Sequence, residues 1–299
     1  MSEQTNPAEA KVPEEKSLAT ISSRFVSMVE KQFAAEMGSA LAFTDYEKTL
    51  AQHMMLKVDA ALKTLEEKRQ ADGKEVAPYT WTNINMTQMA LDTVHRIGLG
   101  LDALIPNHIH PIPYWSKKLQ KYNLDLRIGY TGKDYSRRKM AVEEPLDVIY
   151  ELVFDTDIFK PIMRGRGVEI ESYEFELTAP FKRGIPVGGF GYIIYADPRK
   201  NRLVIVSERD FGKAENVSKS QDFWGEKKFR HEMMMKTIVH RVTDKIPLDP
   251  TKVNAKSYAY VEAQEKDSEV QREIDDHASE EIMDAEVISQ TAPEPKPDF

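Results

Sequence analysis

Residues Tyr114–Met140 read YWSKKLQKYNLDLRIGYTGKDYSRRKM, and the reading of this run as strand, turn, strand and helix sets the architecture. LDLRIGY and the preceding HIHPIPYW are apolar enough and of the right length for two strands, joined by the basic KKLQKYN as a β-hairpin. TGKDYSRRKMA then reads as a short helix. The run also concentrates charge. Eight basic residues (Lys117, Lys118, Lys121, Arg127, Lys133, Arg137, Arg138 and Lys139) face two acidic ones (Asp125 and Asp134), with Tyr114, Trp115, Tyr122, Tyr130 and Tyr135 interleaved. Cations that neutralise phosphates beside rings that stack on bases suit a non-specific single-strand binder. A solvated basic face over packed tyrosines would have the same composition.

On the N-terminal side the chain is helical. Residues 1–16 are rich in Pro, Glu and Ala and read as a disordered arm. A helical period begins at Ser17 through Leu18, Ile21, Phe25, Met28, Val29 and Phe33. TDYE at Thr44–Glu47 has the form of a capping box and opens a second helix through Leu50, Met54, Val58, Leu62 and Leu65. A third helix is predicted over 85–97, with Gly98 ending it. On the C-terminal side, strands are predicted at 148–154 and 168–177. GFGYIIYADPRKNRLVIVS reads as a second hairpin turning at DPRKN, and helix returns from Ser207, most clearly over 226–242. Strands followed by helices without strict alternation predict an α+β fold: a helical N-terminal part, then central β-hairpins packed with helices. Apolar content collapses after Pro247, which places the end of a 17–249 core there and leaves 250–299 as a flexible acidic tail or small partner-binding region.

The charge is unevenly placed. The formal net charge is −8, and residues 250–299 carry 13 acidic and 5 basic side chains, so the other 249 residues balance at 36 of each. The acidic whole-chain balance therefore does not argue against nucleic acid, because the test applies to the domain. The absence of cysteine removes disulfides, thiolate metal sites and thiol nucleophiles and fits a reducing cytoplasm. The first 30 residues hold no apolar segment of a signal peptide, and nothing approaches the 18 apolar residues of a membrane span.

Searches for enzyme motifs come back empty. GYTGKD lacks the spacing and the final Ser/Thr of a P-loop. HEMMM starts like a zinc-protease helix, but Met235 stands where the second histidine belongs. His108 and His110 share a strand face without an obvious third ligand. GGFGYIIY (Gly188–Tyr195) loosely resembles an RNA-recognition motif. A strand with Phe190 and Tyr192 on one face, and glycines permitting close backbone approach, explains it better. DVIYELVFDTD crowds Asp147, Glu151, Asp155 and Asp157 as a nuclease-type metal cluster would, or as a solvent-facing acidic strand would.

A second basic block spans Arg199–Lys245, with 12 basic and 7 acidic residues, separated from the first by the acidic stretch 142–176. It combines Lys213, Lys219, Lys227, Lys228, Arg230, Lys236 and Arg241 with Phe223 and Trp224. The two blocks could converge into one groove or remain separate solvated faces.

IGYTGKDYSRRKM resembles the IGYRGxxxLARRSG signature of the RecT-type (RecT/Redβ) phage single-strand annealing proteins. GLGLDALIPNHIHPIPYWSK looks like that family's lead into its first hairpin. SKSQDFW and EMMMKTIVHRVTDKIPLD resemble its SK…W…EMxKKTxIRRLxKxLP element, in the same order across roughly residues 97–249. Thr131, Tyr135-Ser136, Lys139 and His240 depart from the pattern, whereas Arg137, Arg138, Lys236 and Arg241 match it. The resemblance implies a DNA-recombination protein, phage- or prophage-encoded and cytoplasmic in a bacterial host. It would anneal complementary single strands without ATP and without being an enzyme. Its core would be related to the annealing domain of the eukaryotic Rad-type annealing protein, and it would assemble as a ring or helical filament on single-stranded DNA and the annealed duplex. Lys117, Lys118, Lys121, Arg127, Lys133, Arg137 and Arg138 would form one wall of a basic groove, and Lys213, Lys219, Lys236 and Arg241 the other, with Tyr130 and Trp224 completing the binding set. No cofactor is expected beyond Mg2+ as a modulator. A 5′→3′ exonuclease and the host single-strand-binding protein are expected to dock through the C-terminal region, for which solubility or DNA mimicry is the plainer alternative. A protein that coats single strands without annealing them is the alternative function.

Overall fold

The computed structural model describes residues 18–38, 43–73, 75–216, 224–225 and 229–264. The arm 1–16 and the stretch 265–299 lie outside them. Three helices come first: α1 (Leu18–Met37), α2 (Asp45–Asp72) and α3 (Met86–Gly98). The capping box forms as the sequence requires, with the Thr44 hydroxyl accepting from the Glu47 backbone N–H and the Glu47 carboxylate accepting from the Thr44 N–H. Gly73 closes α2 in the left-handed conformation at φ 62°, where a side chain would be strained. Gly98 is not the terminator of α3. It is the helix's last residue, packed against Ser257, and the left-handed turn falls at Gly100 (φ 75°).

The hairpin follows as β1 (Ile109–Ser116) and β2 (Lys121–Ile128), antiparallel, with Ile109 opposite Ile128 and Ser116 opposite Lys121. Ile109, Tyr122, Leu124 and Leu126 are buried, and join Phe25, Val29, Met54, Val58, Met89 and Val94 of the helices in one apolar core. Period-3.6 and period-2 faces thus meet across the hairpin.

The second half is sheet-based. Strands β3 (Asp147–Phe154), β6 (Pro186–Ile194) and β7 (Arg202–Ser207) form an antiparallel sheet with β6 central, and β4 (Ile158–Ile162) pairs with β5 (Ser172–Glu176) as a separate hairpin. The strand expected over 168–177 is confined to β5. β4, with Pro161 inside it, escaped a reading that looked for β-branched runs. Helices α4 (Tyr130–Lys139), α5 (Glu208–Asn216) and α6 (Arg230–Thr243) complete the element order.

Helix α6 lies on one sheet face, and Ile238 and Val242 occupy the space left by Gly189 and Gly191, where any Cβ would overlap them. Phe190 sits on the other face, its ring 4.6 Å from Phe159 and 4.5 Å from Tyr173. GGFGYIIY is therefore a two-faced core strand, its glycines turned to a helix and its aromatics to a hairpin. The arrangement is mixed helix and sheet. No helix among the described residues is long and apolar enough to cross a membrane.

Past the boundary expected at Pro250, residues 255–264 are helical, and Tyr258, Tyr260 and Val261 pack on the first core. Tyr260 stacks on His95 at 3.9 Å, and its hydroxyl donates to the Asp92 carboxylate at 2.6 Å. Spread-out aromatics in a charged sequence hid this packing from composition. TAPEPKPDF lies outside the described residues.

Candidate nucleic-acid interface

Helices α4 and α6 are neighbours, although about 100 residues separate them in sequence. Helix α4 starts at Gly129–Tyr130 directly after β2, because Gly129 and Gly132 bring the chain against the backbone of Asn107 and His108, where a Cβ would clash. Residues four apart lie on one helix face, which puts Lys133 and Arg137 together. Both reach Asp244, the C-cap of α6, at 2.8 and 3.5 Å. Arg137 also donates to the Tyr258 hydroxyl at 3.2 Å, so the helix over residues 255–264 braces it from behind.

The histidines report which cations are close by. His240 on α6 is pushed down to about 4, first by desolvation and then by the positive charges of Lys133 and Lys236. His110 on β1 is lowered by desolvation and then by Lys57, Lys236 and Arg127. Four elements therefore deliver positive charge to one junction: α2 through Lys57, β2 through Arg127, α4 through Lys133 and Arg137, and α6 through Lys236. Arg241, five residues beyond Lys236 and so turned away from it around α6, lies 3.5 Å from Asp210. It borders a shallow cleft of about 230 Å³ with Asp210, Asp244 and Lys245 over β7.

The remaining candidates fall elsewhere. Lys117 and Lys118 occupy the turn of the first hairpin and Lys121 starts β2, all exposed. Six residues of extended strand hold Lys121 about 20 Å from Arg127. Arg127 pairs with Asp125 at 2.8 Å. Tyr130 opens α4, its hydroxyl accepting from the Asn107 amide at 3.4 Å. Arg138, expected beside Arg137, is turned to Asp134 at 2.9 Å, and that carboxylate also accepts from the β3 Tyr150 hydroxyl at 2.5 Å. Arg138 ties α4 to the sheet. Lys213 is exposed near the end of α5, and Lys219 lies outside the described residues.

Trp224 is corrected. It is 2 % exposed and belongs to the core between α6 and the sheet, so its ring is not available to a base. An indole has more apolar area to bury than any neighbouring side chain, and its place beside lysines in sequence did not reveal that.

The acids of DVIYELVFDTD have partners in the fold. Arg183 lies 4.3 Å over the Phe154 ring and pairs with Glu151 at 3.1 Å and with the fully buried Asp157 at 2.7 Å. Asp155 accepts from the Ile185 backbone N–H at 3.0 Å. His108 packs under Tyr135 at 5.2 Å while His110 faces cations, so their surroundings differ. Among the described residues no three His or carboxylate side chains gather as metal ligands do.

Sequence reasoning missed Lys57, Asp244 and Tyr258. Each lies far in sequence from the residues it serves, and a lone charged or aromatic residue on a helix gives no local signal. No family model matches the chain, and no curated protein matches it.

Proposed function

We propose that the chain binds single-stranded DNA along the α4–α6 junction and anneals it to a complementary strand without nucleotide hydrolysis. One observation carries this reading: the two basic blocks separated by an acidic stretch meet, through Lys133 and Arg137 on α4 and Lys236 on α6, around His240, with Arg127 and Lys236 both near His110 and Arg241 farther round α6 beside Asp210. Phosphate contacts carry no sequence information, so a strand held this way keeps its base edges free to test a partner. Stacking of each new pair then supplies about 1.4 kcal/mol per step, and the protein's part is to cancel the repulsion between two phosphate backbones. The exposed tip of the first hairpin, with Tyr114, Trp115 and Leu119 beside Lys117 and Lys118, is suited to a clamp over the strands.

Copies of the chain stacked as a ring or filament would join such junctions into a continuous track, as in the RecT-type family and with a related core. The acidic stretch 265–299 would then serve an exonuclease or a single-strand-binding protein in a bacterial cytoplasm.

The test is the annealing rate of two complementary oligonucleotides with and without the protein, in the absence of ATP, adding the second strand after the first is bound. Faster pairing is the expected result. Tight binding with no acceleration would leave a coating protein. Metal-dependent shortening of the DNA would revive the carboxylates of β3 as a nuclease centre.

A further inference from the structure

We propose that Asp244 is an internal stand-in for a DNA phosphate, occupying the Lys133–Arg137 site until a strand displaces it. The inference rests on the function proposed above and adds a residue that sets how tightly the junction holds its strand.

Two charges here are on the wrong ends of their helices. Asp244 caps the C-terminus of α6, with its backbone N–H bonded to the carbonyls of His240 and Val242. A carboxylate there faces the negative end of the helix dipole. Lys133 lies in the first turn of α4, where the dipole is positive and disfavours a cation. Each local misplacement is relieved by the other, through the 2.8 Å contact between them, with Arg137 reaching Asp244 at 3.5 Å.

Exposure decides which partner can leave. Asp244's side chain is 45 % exposed, against 28 % for Lys133 and 19 % for Arg137. Arg137 is further held by Tyr258. The anion is therefore the outer member and can swing into water while both cations stay in place. A phosphodiester carries the same single charge and, like a carboxylate, presents two oxygens to the cations. The neighbouring pair is built the other way round. Asp210 is the inner, anchored member, accepting from the Ser207 N–H and hydroxyl at 3.1 and 2.7 Å, and Arg241 is the exposed one. Asp125, 24 % exposed against 32 % for Arg127, is likewise the inner member of its pair, so among these acids Asp244 is the one placed to be exchanged.

Exchange has two consequences. The cations are held in position before DNA arrives, and each bound phosphate must outcompete a tethered carboxylate, which keeps affinity moderate and lets an annealed product leave. The experiment measures binding of a labelled oligothymidine to the full chain at low salt by fluorescence anisotropy, for wild type, Asp244→Asn, Lys133→Met and the double variant. Asp244→Asn is expected to tighten binding about fivefold, the worth of one unit charge at contact distance near water. Most of that gain should vanish when Lys133 is already Met, because the two residues act on one site.

An Asp244→Asn protein that binds no tighter, or gains equally without Lys133, overturns the inference while leaving single-strand binding intact. Failure of the wild type to bind oligothymidine overturns the function itself, and the inference with it. A thermal unfolding midpoint near wild type confirms that the variant is folded. Asp244→Ser, which keeps a small polar helix end, replaces it if the midpoint falls.

Discussion

The tip of the first hairpin and the α4–α6 junction are both basic, yet they are built in opposite ways. At the tip, Lys117, Lys118 and Lys121 stand exposed with no carboxylate at ion-pair distance among the described residues. Their charge comes from sequence adjacency. At the junction, Lys133 and Arg137 arrive from α4, Lys236 from α6 and Arg127 from β2, and carboxylates hold several of them in place. Their charge comes from the fold. Tip lysines can follow a phosphate anywhere within reach, at the cost of side-chain entropy each time. Junction cations are fixed in advance and depend on the packing beneath them.

That dependence gives the largest expected effect. Gly191→Val places a side chain into Val242 and forces α6 off the sheet. Overpacking of this kind costs about 1–3 kcal/mol, read as a lower denaturant midpoint, and it should abolish junction binding while leaving the tip unaltered. Retention of wild-type affinity by a folded Gly191→Val protein would break the distinction between the two regions.

Next in size is Arg137→Ala. It should weaken binding alike for unrelated sequences and lower the salt slope by about 1, as the loss of one phosphate contact does. Lys117→Ala or Lys118→Ala should each lower the slope by less than Arg137→Ala, because neighbouring lysines at an exposed tip substitute for one another. Equal losses at both places would mean that preplacement adds nothing.

Much of the fold was legible where structure is local. The capping box of α2, the two hairpins and the basic helix α4 follow from residues within a few positions of one another, although β2 starts earlier, at Lys121, and ends at Ile128, giving Gly129 and Tyr130 to the start of α4. The candidate site was half legible. Its cations other than Lys57 could be named from sequence, but which of them share one place could not. Arg137 and Arg138 are adjacent, and only the fold turns one to Asp244 and the other to Asp134 and Tyr150. Trp224 was misread for the same reason, since burial is a property of what lies opposite. The helix over residues 255–264 packs through Tyr258, Tyr260 and Val261, too few apolar side chains to stand out against an acidic background.

The smallest expected effect is on pH, and it separates the two regions without altering any lysine. His240 is neutral in the folded chain because its proton is lost at about 4, below the ordinary histidine value of about 6.5. His110 is lowered too. Burial is the larger cause of both shifts, and at His240 Asp244 already offsets part of the cations' share. A phosphate added among Lys133, Lys236 and Arg127, with the Asp244 carboxylate still tethered nearby, cancels more of that share, so bound DNA raises both pKa values. A group whose pKa rises on binding takes up a proton with the ligand, and junction binding should therefore tighten modestly as pH falls from 7 toward 5, approaching the His240 value of about 4. The tip, residues 114–121, holds no histidine and no carboxylate. Folding has the opposite sign. His240 binds its proton more readily unfolded than folded, so the stability it contributes is present above about 6.5 and is lost as pH falls toward 4. Anisotropy titrations at pH 7 and pH 5 on wild type and His240→Gln check the first point. A pH response undiminished in His240→Gln would remove this imidazole from the junction's electrostatics and turn attention to His110.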